Sequence, residues 1–281
     1  PKSASWVQYA AQQGVPVVGG TAIDIAFATN PNFFAIGGNS FAFVDGSTKA
    51  AAELGPNFGV AYCAEEPACA QSVTLYGFIG GEVGVTVPVS VKVSGTATDY
   101  TAQCQALIDG EVDSYTVAAD GPIVVKLAEA CADQGLDVPL ILSDGVIREP
   151  LKDVDALEGA NFISATKPFS DTTVPGIEAF HTMIDERTSG GDEVGTIAYQ
   201  IYASFQLFKK AVENSGADDV SPTSVKDGLY AMKDETLEGM TVPLTFVPGK
   251  PNLINCTYRM TIKDNEFTSD PAQEPQCADP D

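Results

Sequence analysis

Short apolar runs alternate with amphipathic stretches along the whole chain. Residues 6–13 have helical spacing stopped by Gly14, and VPVV at 15–18 reads as a short buried strand. FFAI at 33–36 predicts another strand, 47–54 a helix, and FGVAY at 58–62 a strand. Pro67 then opens a helix reaching about residue 79, since proline is tolerated in a first helical turn. Further on, strands are predicted at 87–93, 114–119, 138–142 and 161–166, with helices over 99–108, 122–134 and 174–187 and a short one near 151–157. VPLIL at 138–142 is apolar on both faces, as a strand of a covered parallel sheet must be.

The longest predicted helix covers 195–215, with an apolar stripe at Ile197, Ile201, Phe205, Phe208 and Val212. A shorter helix follows over 222–232. The last third changes character: residues 244–267 read as strands joined by turns, and the polar, acidic, proline-containing tail beyond Phe267 as an extended strap. Repeated strand–helix units with apolar strands define an α/β fold with doubly wound parallel sheets. Such sheets place ligands beyond the carboxyl ends of their strands, which directs attention to the loops after Val18, Ile36, Tyr62, Ala119 and Leu142.

Composition narrows the function classes. With 281 residues the chain is long enough for two lobes, and 44% hydrophobic against 19% charged residues places it among folding sequences. Its net charge of −23 repels phosphate backbones and anionic lipid headgroups, which argues against a nucleic-acid partner. No apolar run is long enough to span a bilayer, and the first residues lack the apolar core of a signal peptide. For an exported protein, that signal is expected to have been removed or to lie upstream.

Six cysteines (Cys63, Cys69, Cys104, Cys131, Cys256 and Cys277) contain no CxxC spacing, and with a single histidine they fit no zinc-finger pattern. Proximity in sequence suggests Cys63–Cys69 and Cys256–Cys277, leaving Cys104–Cys131, although six cysteines admit 15 connectivities. An oxidising compartment is the expectation.

Catalysis finds little support. His181 lies mid-helix beside charged residues and reads as a solvated helix position. Every Ser–His–Asp set would depend on it, and there is no GxSxG elbow. The glycine pairs at 19–20, 37–38 and 80–81 have neither phosphate-binding spacing and read as strand-end turns. Among 38 carboxylates, Asp144 stands out because SDG follows directly on the apolar strand VPLIL. A carboxylate there, partly dehydrated, pairs strongly with a cationic ligand group; as a plain turn residue it would cap the next helix. Asp120 in AADGP carries the same ambiguity, with the cap reading favoured by Pro122, and Thr21 and Asp24 in GGTAID follow the first strand. Asn255-Cys256-Thr257 fits a glycosylation acceptor, but its central cysteine makes chance the better explanation.

The segments GVPVVGGTA, FFAIGG, FGVAYCAEE, the stretch from Thr96 to Gly145 containing DYTAQ, ADGP and GLDVPLILSDG, and AYQIYASFQLFKKAVENSG together resemble a known family. They are similar to type I periplasmic binding proteins of the leucine/isoleucine/valine-binding and amide-binding branch that serves ABC transporters. The resemblance implies a two-lobed fold, with residues 1–38 and 168–248 in an N-lobe, 39–167 and 249–281 in a second lobe, and a ligand cleft between them closed by hinge bending. It implies a binder with no catalytic role and no cofactor, extracytoplasmic (in the periplasm or lipid-anchored on the outer face of the cell membrane), that hands an amino acid or similar small polar metabolite to a membrane permease. A ligand-sensing ectodomain of a signalling receptor is the alternative that the same clamp would serve.

By the same resemblance, the N-lobe loop of Thr21, Ala22 and Ile23 would hold a ligand carboxylate through hydroxyl and backbone N–H groups. Asp144 would hold its ammonium, and Tyr62, Asp120 and Gly121 would line the second lobe. Pro67 stands where the family often has a tyrosine, and Asp120 and Gly121 where branched-chain binders have aromatic residues, so a plain aliphatic pocket is not expected. The family also begins earlier: about a hundred residues of an N-lobe of ordinary domain size are expected to lie outside this sequence.

Overall fold

The computed structural model describes residues 4–23, 25–65, 67–187 and 195–278. The chain divides into two compact units. Unit 1 comprises Pro1–Phe43, Ser164–Tyr258 and Pro271–Asp281; unit 2 comprises Val44–Ile163 and Arg259–Asp270.

In unit 2, β3 (Phe58–Cys63) pairs in parallel with β4 (Ser90–Val93) on one side and β5 (Ser114–Ala118) on the other. A parallel bridge from Tyr115 to Leu140 carries the sheet on to β6 (Ile141–Ser143), which pairs in parallel with β7 (Asn161–Ser164). β8 (Cys256–Lys263) lies next to β7, and β9 (Glu266–Thr268) folds back antiparallel on β8. Position in the sheet explains the sequence patterns. Central β3 buries Phe58 to Ala61 consecutively, whereas edge strand β4 alternates exposed Ser90 and Lys92 with buried Val91 and Val93.

Helix α3 (Ser40–Leu54) precedes β3, and α4 (Pro67–Glu82), α5 (Thr101–Asp109) and α6 (Gly121–Ala132) separate the strands from β3 to β6 in sequence. Tyr76 of α4 meets Phe58 edge to face at 5.5 Å. A disulfide joins buried Cys104 of α5 to buried Cys131 of α6. Gly135, at φ 84°, takes the left-handed conformation that ends the helical stretch containing α6, and Leu136 N–H then reaches back to the Cys131 carbonyl at 3.0 Å. In place of the helix expected near 151–157 there are two 3-10 stretches, Glu149–Asp153 and Asp155–Leu157. Pro150 cannot donate the backbone bond that a longer α-helix would need.

Unit 1 holds α1 (Ala4–Gln12), a two-stranded parallel sheet of β1 (Val17–Val18) and β2 (Phe33–Phe34), and α2 (Ile25–Thr29) between them. Phe33 packs against Phe27 and Trp6, and Phe34 against Tyr230 and Phe246. α7 (Pro175–Arg187), α8 (Thr196–Ser215) and α9 (Pro222–Tyr230) complete the unit. α9 starts with a capping box in which Ser221 and Ser224 exchange side-chain and backbone bonds, with Pro222 in the first turn.

One expectation is corrected here. The stripe Ile197, Ile201, Phe205 and Phe208 of α8 is exposed, Phe205 by 67%; the buried stripe is Thr196, Tyr199, Ala203, Leu207 and Ala211. Periodicity finds both stripes, but close packing selects the one with small residues: a Cβ on Gly228 of α9 would come within 1.7 Å of the Ala211 carbonyl oxygen. From Pro271 on the strap belongs with unit 1, as do residues 249–258. The Cys256–Cys277 disulfide and the pairing of β10 (Gln276–Cys277) with β8 hold it there. The remaining disulfide is Cys63–Cys69, so all three pairs follow the proximity suggested by sequence.

Candidate ligand-binding site

Parallel strands bring their carboxyl ends to one edge of the sheet. In unit 2, Tyr62 lies opposite Ala118, and a parallel bridge joins Tyr115 of β5 to Leu140, just before β6. The residues that follow are therefore neighbours: Asp120 and Gly121 after β5, and Asp144 after β6. A Cβ on Gly121 would lie 3.6 Å from the Val146 carbonyl oxygen, which sets the start of α6 against the turn that carries Asp144.

Asp144 is only 2% exposed although it immediately follows a strand end. It is the first residue of the 3-10 turn Asp144–Val146, and its carbonyl accepts from Ile147 N–H at 3.0 Å. The N-cap position of that turn belongs to Ser143, whose side chain makes no capping bond. Asp120 is exposed and does occupy the N-cap of α6, its carbonyl accepting from Ile123 and Val124. Its side chain makes no capping bond, which leaves the carboxylate outside the helix's own hydrogen bonding. Tyr62 is half-buried at the end of β3.

Sequence reasoning passed over Glu65 on the same edge. Its Oε1 accepts from Ser94 Oγ at 2.6 Å and from Gly95 N–H at 3.1 Å, tying the loop after β3 to the loop after β4. The Ser94 bond is the main cause that holds this carboxyl below the usual glutamate range. The only signal was a serine–glycine pair after a strand, too common to single out.

Thr21, Ala22 and Ile23 belong to unit 1. Thr21 bridges to Gly37 beyond the ends of β1 and β2, Ala22 is buried, and Ile23 is exposed with its carbonyl accepting from Ser40 Oγ at 2.9 Å. Asp24 lies outside the described residues. Four of the seven expected positions thus share one sheet edge in unit 2, and three share one loop in unit 1.

His181 departs from its expected solvated state. It is half-buried, meets the Phe180 ring edge to face at 5.3 Å and lies tilted 6.4 Å from that of Phe169, and its Nε2 donates to the Phe169 carbonyl at 2.7 Å. That bond makes it a packing residue of α7. Asn255 of the glycosylation-like triplet accepts from Asn39 at 2.6 Å, and its Cys256 is in a disulfide. Among the described residues, no cluster of His, Cys, Asp or Glu is suited to a metal, and no helix is long and apolar enough to cross a membrane.

The sequence matches the periplasmic binding protein family over residues 2–266, and the chain belongs to that family. Members bind solutes outside the cytoplasm and are not enzymes. Sequence comparison with curated proteins returns no match. The fold is similar to that of a branched-chain amino acid ABC transporter protein from Thermus thermophilus with bound valine, at TM-score 0.81 and 14% identity over 98% of this chain and 76% of that one. It is also similar to a leucine-binding protein from Thermotoga maritima, at TM-score 0.75 and 14% identity over 95% of this chain and 75% of that one. A third similar structure is a solute-binding protein from R. palustris in complex with 4-hydroxybenzoate, at TM-score 0.75 and 18% identity over 95% and 73%. Amino acids and an aromatic acid are thus bound on one fold, and likeness of fold does not select between them.

Proposed function

We propose that this protein is the extracytoplasmic solute-binding component of an ABC transporter, and that it captures an amino acid or a similar small polar metabolite by hinge closure. Asp144 carries the reading. A carboxylate at a strand's carboxyl end, shielded from bulk water, gains more from a cationic partner than one on the surface, because little screening opposes the pair. The exposed carboxylate of Asp120 beside it adds to the negative potential of that edge. Thr21 and the backbone of Ala22 and Ile23 supply donors of the kind a ligand carboxylate needs. Micromolar affinity is about −8.2 kcal/mol, which a few charge-assisted bonds of about 1.5–3 kcal/mol each plus desolvation supply.

The test is calorimetric titration with a panel of L-amino acids and of carboxylic acids lacking an ammonium group. Binding of an ammonium-bearing compound, lost in Asp144→Ala, is the expected result. Equal affinity of the variant would remove Asp144 from the site.

A further inference from the structure

The chain passes between its units four times, at 43/44, 163/164, 258/259 and 270/271. Three of these crossings converge, on their unit 1 side, upon one buried ammonium. Lys167 lies three residues past the second crossing, and its side chain is 10% exposed. Its Nζ donates to the carbonyl of Pro271, the first residue past the fourth crossing, at 2.8 Å, and to that of Gln273 at 3.4 Å. The same Nζ stands 5.6 Å from the ring centre of Tyr258, the last residue before the third crossing. Its counter-ion is Asp171, at 3.6 Å, whose side chain is wholly buried and accepts a further bond from Thr173 at 2.6 Å. The Lys167 backbone N–H donates to Met240.

Three donors on a point charge suit this place. The strap offers main-chain carbonyls from a segment with proline and no helix or strand at 271–273, so it has few apolar atoms to bury. A buried ammonium that meets two carbonyls, a carboxylate and an aromatic face is fully satisfied, and it orders a segment that packing alone would leave loose. The Cys256–Cys277 disulfide fixes the far end of the same strap beside the third crossing.

We propose that Lys167 is a positioning residue that pins the segment after Ser164, Tyr258 and the strap from Pro271 together within unit 1, and that ligand capture depends on this order. The part played in capture rests on the function proposed above; the pinning does not. Lys167→Met alone strands the buried Asp171 carboxylate and is expected to fold poorly, so the deciding protein is the double variant Lys167→Met, Asp171→Leu, which removes both charges.

Hydrogen exchange followed by mass spectrometry on the full chain, without ligand, reads the pinning. At least a tenfold acceleration of the amides of residues 272–274 and 164–167, with those of α5 and α6 unchanged, is expected; unchanged exchange at 272–274 overturns the proposal. Titration with L-valine reads the consequence. Where the wild type binds it, affinity at least fivefold lower in the double variant supports the positioning role, and equal affinity despite accelerated exchange overturns that role. Where the wild type ignores L-valine, the same comparison is made with whichever L-amino acid of the panel it binds. Binding of none counts against the amino-acid reading, while the exchange result still decides the pinning.

Discussion

Gly121 approaches Val146 so closely that a Cβ would stand 3.6 Å from the Val146 carbonyl oxygen, an ordinary van der Waals distance. The start of α6 and the Asp144 turn therefore touch, but with room for one methyl group. Gly121→Ala is expected to keep the fold, with a melting temperature within a few degrees of wild type, since an Ala at this helical position also lowers backbone entropy. A bulkier Gly121→Phe is expected to push the Asp144 turn away and weaken ligand binding more than tenfold. Calorimetry on both variants checks the pair; a tight-binding Phe variant contradicts the placement.

The crossing of α8 and α9 makes a sharper claim. At Gly228 a methyl group would sit 1.7 Å from the Ala211 carbonyl oxygen, which is backbone and has no rotamer to change. Gly228→Ala should destabilise unit 1 by about 3 kcal/mol or more, against the small gain that alanine normally brings to a helix. Urea unfolding measures it, and a neutral or stabilising result means the helices do not cross there.

Loss of the disulfide between α5 and α6 acts on unit 2. Its closed loop spans a sequence separation of 27, for which loop entropy gives about 3.5 kcal/mol. Cys104→Ala with Cys131→Ala is expected to lower the unfolding free energy by that order. Both cysteines are buried, so part of the loss comes from packing. A change below about 1 kcal/mol would show that the bridge is dispensable.

Arg259 binds Glu53 through two bonds, at 2.6 and 2.8 Å, and this hydrogen-bonded contact holds the Glu53 carboxyl below the usual glutamate range. A lowered folded-state pKa contributes stability above the ordinary glutamate value and loses it as pH falls through the lowered one. The Glu53 side chain is 58% exposed, so the effect is within about 1 kcal/mol. Denaturation of wild type and Glu53→Gln at about pH 7 and about pH 3 should show a difference at the higher pH that closes at the lower. A difference that persists in acid contradicts the charge-based account.

What the sequence made legible follows from what each signal depends on. VPLIL and FGVAY announced buried parallel strands because burial on both faces leaves no room for polar alternation, and SDG after VPLIL marked the turn where Asp144 sits. The cysteine pairs also followed proximity. The buried face of α8 was not legible, because two apolar stripes share the helix and only the fit of Gly228 against Ala211 chooses between them. Nor were the bonds of Lys167 to the strap, because its ammonium reaches carbonyls about a hundred residues away in sequence, at Pro271 and Gln273. Glu65 escaped notice for a related reason: its role exists only once β3 and β4 lie side by side.

In the function proposed above, the shielded carboxylate at the end of β6 receives a cationic guest. Mass spectrometry of the small molecule released from wild-type protein and from Asp144→Asn, both purified without added ligand, tests it most directly. A compound bearing a protonated nitrogen, released by the wild type and missing from the variant, is the predicted result. An equal yield from both proteins, or a guest with no cationic group, would contradict it.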